Sequence, residues 1–420
     1  MSALHASGSS PRATTLKAAG YVDVDAGEIV RPGIVKVDGD RIVAVGGDID
    51  AESSTVLDLG DAILLPGLMD MEVNLLMGGR GETPGLSQVQ DDPPTRVLRA
   101  VGNARRTLHA GFTTVRNLGL FVKTGGYLLD VALGKAIDAG WIEGPRIVPA
   151  GHAITPTGGH LDPTMFAAFM PGALELTVEE GIANGVDEVR KAVRYQIKHG
   201  AQLIKVCVSG GVMSLTGEAG AQHYSDDELR AIVDEAHRRG LRVAAHTHGA
   251  EAVKHAVACG IDCIEHGFLM DDEAIQMLVD NDRFLVTTRR LAQAMDVSHA
   301  PKELQDKAAV MFPKAETSIK AAYEAGVKIA VGTDAPAIPH GKNADELVTL
   351  VEWGMPPAAV LRAATVVCAD LINVTDRGRI AEGLLADIIA VPGDPLFDIT
   401  VTKDVRFVMK GGKVYVHKKD

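Results

Sequence analysis

Between residues 64 and 331 the chain repeats one pattern eight times, a short apolar run of strand character followed by roughly ten to fifteen residues with helical spacing. That alternation leaves few folds open, because successive parallel strands need a crossover helix between them. The apolar runs lie near Leu64 to Val73, Thr113 to Asn117, Ile147 to Ala150, Leu203 to Val208, Arg242 to His246, Asp262 to His266, Phe284 to Thr288 and Lys328 to Val331. One helix between them is well marked. Ser225 with Glu228 three residues on forms a capping box, Leu229, Ile232, Val233 and Ala236 share a face, and Gly240 stops it. Eight such units predict an α/β fold of the (β/α)8, TIM-barrel type. A doubly wound open sheet has the same periodicity, and the pattern alone does not separate the two.

The two ends read differently. From Gly20 to Leu65 apolar and polar residues alternate between turn signals, as where Val37-Asp38-Gly39-Asp40 separates two short runs. At the other end, Val405 to Met409, Lys410-Gly411-Gly412-Lys413 and Val414 to Val416 read as a hairpin with a Gly-Gly turn. Two antiparallel segments at opposite ends predict one small sheet domain built from both. The 420 residues suit one barrel plus such a companion.

Composition narrows the function. Hydrophobic residues make up 46% and charged residues 23%, enough for a sizeable core and incompatible with disorder. Lys and Arg number 42 against 55 Asp and Glu, a net charge of −13 that repels phosphate backbones and anionic lipid, so neither nucleic acid nor membrane is expected as a partner. Cys207, Cys259, Cys263 and Cys368 contain no C-x-x-C pair and read as reduced thiols. With no apolar run of about eighteen residues and no signal-peptide core near the start, a soluble, cytoplasmic protein is expected.

In a barrel, functional groups sit where strands end. Lys205 follows Leu203-Ile204 inside an apolar run, where a charged lysine is costly unless paired, modified or snorkelling. His246 ends Val243-Ala244-Ala245, His266 follows Ile264-Glu265, and Asp334 follows Val331-Gly332-Thr333. Each alone is an ordinary strand-end polar group. Together, on strands four, five, six and eight, imidazole and carboxylate groups are the donors that hold a catalytic divalent metal.

Leu65-Pro66-Gly67-Leu68-Met69-Asp70, Lys205, His246 in His-Thr-His-Gly, His266 in Ile-Glu-His-Gly and Asp334 in Gly-Thr-Asp-Ala resemble the metal-dependent amidohydrolase superfamily. Gly378-Arg379-Ile380-Ala381-Glu382-Gly383, with Ala386-Asp387-Ile388-Ile389, resembles that family's return to its small β domain. Thr157-Gly158-Gly159-His160 and Ser209-Gly210-Gly211-Val212 resemble its imidazolonepropionase-like and prolidase-like branch. The resemblance implies a flexible tail over 1–15, a small β-sandwich domain from 16–66 and 376–420, and a hydrolase barrel over 67–375. It implies one or two divalent ions (Zn, Mn or Co), bridged by Lys205 after carboxylation by CO2. By the same correspondence His246 and His266 hold one ion, while Asp334 contacts the other and shuttles a proton between water and the leaving nitrogen. A homo-oligomer is also implied.

Strand one departs from that family. Where His-x-His is usual, this chain has Glu72-Val73-Asn74. Alternation still puts Glu72 and Asn74 on one face, so both remain candidate ligands. Two divalent ions, carboxylated Lys205 and Asp334 sum to about +2, and Glu72 lowers this to about +1, weakening the Lewis acid and favouring harder ions such as Mn. An oxygen-rich two-metal site, a single ion held mainly by Lys205, His246 and His266, and a vacant site all stay open. Asn in this motif is similar to relatives that cleave urea-type or carbamate-type bonds.

Loops after strands three and four should meet substrate. The resemblance points to Tyr224 and His152 as groups that bind the substrate carboxylate or scissile carbonyl. His160 and His223 read as loop residues bonded to nearby backbone, and His248 as a residue on the His246 face that is not a ligand. Cys207, two residues after Lys205 and facing inward with it, reads as core packing, with a place near the metal as the alternative. Pro163 to Leu176, with Met165, Phe166, Phe169 and Met170, offers an apolar wall at the barrel mouth or a lid packed on its own barrel. Arg289 and Arg290 suit either a substrate carboxylate or a solvated loop. The function expected is metal-dependent hydrolysis of an amide, carbamate or urea-type C–N bond in a small, partly hydrophobic molecule. A cyclic-amide hydrolase or deaminase, and a non-catalytic assembly protein, are the alternatives.

Overall fold

A computed structural model describes residues 13–47, 49, 54–78, 87, 89–162, 170, 172–214 and 217–418. The chain divides into two compact units, one formed by both ends, up to Leu68 and from Pro357 on, and the other by Met69–Pro356.

In the first unit, strands from both ends share one sheet. Ile388–Val391 pairs antiparallel with Ile63–Pro66, and Phe407–Lys410 continues the sheet beyond it. A second, four-stranded sheet has the order Arg41–Val45, Gly33–Asp38, Thr14–Ala18, Thr55–Asp58. Leu16, Val35, Ile42, Leu64, Ile388, Phe407 and Met409 form their shared core. This is the expected sandwich of alternating strands. The C-terminal turn places Gly411 at φ 55° and Gly412 at φ 72° between Lys410 and Lys413, the geometry a two-residue hairpin needs. Two boundaries move. The first strand begins at Thr14, inside the expected tail. Helices Pro357–Ala363 and Val366–Leu371 fall with this unit and not with the barrel, and Gly378 lies against Thr365 and Ala369 of the second.

In the second unit, the described residues contain eight parallel strands: β1 (Leu68–Val73), β2 (Phe112–Asn117), β3 (Arg146–Pro149), β4 (Ile204–Cys207), β5 (Val243–Gly249), β6 (Cys263–Leu269), β7 (Phe284–Val286) and β8 (Lys328–Ala330). The sheet closes on itself. The Ile154 amide donates to the Lys205 carbonyl (2.8 Å) just past β3, and the Met71 amide donates to the Val331 carbonyl (2.8 Å) across β1 and β8. Closure rules out the doubly wound alternative. The long apolar run from Leu64 is two strands, because Ile63–Pro66 joins the sandwich and Gly67 separates it from β1.

The helices follow the expected spacing. Asp226–His237 is capped by Ser225, whose amide donates to Glu228 Oε2 (2.9 Å), and Leu229, Ile232, Val233 and Ala236 are all buried. The four cysteines are buried thiols. Among the described residues no helix is long and apolar enough to cross a membrane.

Candidate active site

Apolar β strands that end in polar residues deliver those residues to one rim of a barrel, and the result is a cavity of about 450 Å³. Glu72, Asn74, Lys205, His246, His266 and Asp334 all line it, from five different strand ends. So do two histidines that the sequence left aside. His160 stacks on His246 with ring centroids 3.8 Å apart, and His248 stacks on His266 at 4.9 Å. Met77, Phe121, Val212, Met213, Phe268 and Leu291 supply apolar wall.

Two expected substrate contacts are not brought there. The Tyr224 hydroxyl donates to the Ala183 carbonyl (3.1 Å), and His152 Nε2 lies 2.9 Å from Thr124 Oγ1, with its amide donating to Gln196. Both side chains are buried and neither lines the cavity, which the loop order along the chain does not reveal. His160 is the histidine of that region that lines the cavity. Its Nδ1 is 2.8 Å from Ser214 Oγ, and its amide donates to His223 Nε2 (3.0 Å), the backbone role expected for His223. Cys207 is packed in the core. Residues Met165, Phe166 and Phe169 of the expected wall lie outside the described residues, and Met170 is exposed.

Glycines make room for this packing. A Cβ on Gly211, in the Ser-Gly-Gly-Val run, would stand 2.8 Å from His246 Nε2 and 2.7 Å from His160 Cε1. Non-glycine residues accept unusual backbone at the same rim: His266 has φ 72° and Asp334 φ 56°. Such strain persists where surrounding bonds over-determine it. Around Asp334 those bonds run through Asp70, a residue sequence reasoning quoted only as motif. Asp70 accepts from the Thr333 hydroxyl (2.6 Å), the Asn343 amide group (2.7 Å) and the backbone amides of Thr333 and Glu72 (3.1 Å each). It therefore ties β1 to the end of β8. Beneath the site Arg116 forks onto Glu265 (2.8 and 2.9 Å) and donates to the Met71 carbonyl (2.6 Å), a buried pair with no signal in the linear sequence.

The electrostatics follow from burial. The Lys205 ammonium donates to Glu72 Oε1 at 3.0 Å, with both side chains almost fully buried. Burial works to depress this ammonium, and Glu72 and Glu265 outweigh it, so it sits above the ordinary lysine value. His246 and His266 are held well below the usual histidine value, by burial first and by neighbouring imidazoles and Lys205. Burial, with Arg289 next, takes His248 down to about 3. These imidazoles are neutral, the form that binds metal. Asp334 is pushed up to about 7, chiefly by burial, with Lys205 opposing and Asp70 adding.

A divalent cation fits this donor set. His246, His248 and His266 can each bring one ring nitrogen within 4.8 Å of the others. Among the described residues His246 Nε2, His248 Nδ1, Glu72 Oε2 and Asn74 Oδ1 are buried without hydrogen-bond partners, the signature of groups arranged for a ligand. His266 Nδ1 is engaged by Thr288 Oγ1 (2.9 Å), which leaves Nε2 turned toward Glu72 Oε1 at 3.6 Å.

A closed eight-stranded barrel with this rim, together with a sandwich built from both chain ends, is the architecture of the amidohydrolase family, and the chain belongs to it: the family's model matches residues 63–415. Its likenesses fall in the imidazolonepropionase-like and prolidase-like branch. It is 33% identical to ochratoxinase of Aspergillus niger, over 96% of this chain and 86% of that one. A solved Xaa-Pro dipeptidase with methionine in its active site superposes with a TM-score of 0.89 at 35% identity, covering 96% of this chain and 100% of the other. A prolidase complexed with N-methylphosphonate-L-proline gives 0.87 at 32%, covering 97% and 100%. The chain is thus a hydrolase acting on amide-type C–N bonds outside ordinary peptide chains.

Proposed function

We propose that the protein hydrolyses the amide bond of a small molecule whose acyl side is apolar and whose amine side carries a free carboxylate, with a divalent metal ion at the barrel mouth. The observation that carries this is the convergence of His246, His266, Lys205, Glu72 and Asp334 on one apolar-walled cavity. His246 and His266 would hold the ion, with His248 and Asp334 beside them and an anionic oxygen completing the set. Two side chains are placed to provide that oxygen, Glu72 as it stands and Lys205 after carboxylation. The chemistry such an ion supplies is Lewis-acid polarisation of the carbonyl and activation of water.

The chain's own residues do the rest. Asp334, with a carboxyl near neutrality, takes a proton from the attacking water and returns it to the leaving nitrogen. Met77, Phe121, Val212 and Met213 exclude water around the acyl group. Arg289 is fully buried, its guanidinium lies 4.8 Å over the Phe268 ring, and among the described residues none of its three side-chain nitrogens has a hydrogen-bond partner. A buried unpaired guanidinium calls for a carboxylate, which it binds with two parallel bonds. The relatives support that choice. Methionine and a proline phosphonate, the molecules bound in the two structures above, both carry free carboxylates.

The test is a substrate panel with protein reconstituted separately with Zn, Mn and Co. N-acyl amino acids and dipeptides should be cleaved, their carboxamide analogues much less, and chelation should stop turnover. Cleavage only of phenylureas or carbamates, or turnover that survives chelation, would sink this reading.

A further inference from the structure

The proposed metal site has one anionic donor too many if Lys205 is carboxylated. Its Nζ lies 3.0 Å from Glu72 Oε1 in a pocket where the two side chains are only 2% and 5% exposed. Carboxylation forms an N–C bond between the neutral lysine amine and CO2 with loss of one proton from nitrogen; counted from the ammonium, two protons leave and a side chain of charge +1 becomes one of charge −1. Here that anion would form against the Glu72 carboxyl group, whose Oε1 lies 3.0 Å from the lysine nitrogen.

The donor geometry points the same way. Glu72 Oε1 bonds Lys205 and faces His266 Nε2 at 3.6 Å, while Oε2 is buried with no hydrogen-bond partner among the described residues, as is His246 Nε2. Lone pairs of Glu72, His246 and His266 are therefore left for one ion. For a second ion the unpartnered donors left over among the described residues are His248 Nδ1 and the Asn74 amide oxygen, with Asp334 in the same lining. Asn74 Nδ2 donates to the Gly119 carbonyl (2.9 Å), so only its amide oxygen remains, a weak donor beside Asp334.

We infer that Glu72 takes the place of the carboxylated lysine, binding a single divalent ion together with His246 and His266, while Lys205 stays uncarboxylated and hydrogen-bonds to Glu72. A histidine at position 72 would be incompatible with this arrangement, since it would remove the carboxyl oxygen to which the Lys205 nitrogen donates. The inference rests on the metal-dependent reading above.

It is tested on the wild-type chain without recourse to turnover. Metal-free protein in CO2-depleted buffer is titrated with Zn or Mn, with and without 13C-bicarbonate, and followed by elemental analysis, 13C NMR and native mass spectrometry. One ion per chain, bound equally tightly in both conditions, with no carbamate carbon signal and no added CO2 mass, is the expected result. Two ions per chain, bicarbonate-dependent binding or a carbamate signal would overturn the inference and leave the metal-dependent reading intact. Failure to bind any ion would remove both. As a second arm, Glu72→Gln should weaken binding at least tenfold, whereas Lys205→Met should keep one ion. Loss of the ion from Lys205→Met with retention in Glu72→Gln would reverse the assignment.

Discussion

Arg289 is the residue at which the proposed substrate recognition separates most cleanly from stability. Burial drags its guanidinium down to about 9, with Glu346 offering only partial compensation, so the folded chain carries an under-paired cation next to its cavity. Removing it should relieve the molecule, since an unpaired buried charge costs more than an apolar side chain of similar size. Arg289→Met is therefore expected to leave thermal stability unchanged or raise it. The same variant should raise KM for N-acyl amino acids by roughly tenfold to a hundredfold, the loss of a charged hydrogen-bonded pair. For the matching carboxamides KM should hardly move. Steady-state kinetics on both series decide the point, and an equal effect on the two would show that Arg289 does not meet a carboxylate. Its neighbour Arg290 lies on the helix Arg289–Ala294, not in a loop, and its half-buried side chain bonds Gln293 at 2.8 Å.

Strands carry the site, and what holds them in register lies one layer below it. Arg116 on β2 bridges to Glu265 on β6 and to the Met71 carbonyl on β1, joining strands from opposite sides of the barrel interior. Glu265 also receives Cys263 Sγ at 3.0 Å. Both members of this pair are fully buried, so breaking it strands a carboxylate in a low-dielectric interior. Arg116→Met should cost about 3–5 kcal/mol, read as a shift of the urea unfolding midpoint. A double replacement, Arg116→Met with Glu265→Leu, should recover most of that loss. If the single variant unfolds at the wild-type midpoint, the pair does not hold the strands. Asp70 performs the matching service between β1 and β8, where its four accepted hydrogen bonds set the backbone of Glu72 and Asp334.

For the whole molecule, the sandwich depends on residues more than 300 positions apart, about the length of the barrel itself. Ile388–Val391 lies between Ile63–Pro66 and Phe407–Lys410, and every residue of that strand is buried. A chain ending at Asp387 would expose Ile63–Pro66 as an apolar unpaired edge, and it is expected to accumulate as insoluble protein. Recovery of a soluble monomer with wild-type circular dichroism would refute this. Much of the design was already legible in the linear chain. The eight apolar runs, the Ser225 capping box, the Gly411-Gly412 turn and the strand-end placement of Lys205, His246, His266 and Asp334 all depend on short-range spacing, and backbone geometry converts such spacing directly into structure. Barrel closure, the Arg116–Glu265 pair, the stacking of His160 on His246, the burial of Arg289 and the removal of His152 and Tyr224 from the cavity are decided only in three dimensions. Each depends on which side chains meet across distant strands and loops, and local periodicity carries no information about that meeting. Glu72 stands on both sides of the division. The sequence by itself determined that a carboxylate replaces a histidine there, and only the tertiary structure decided that Lys205 would lie 3.0 Å away to pair with it.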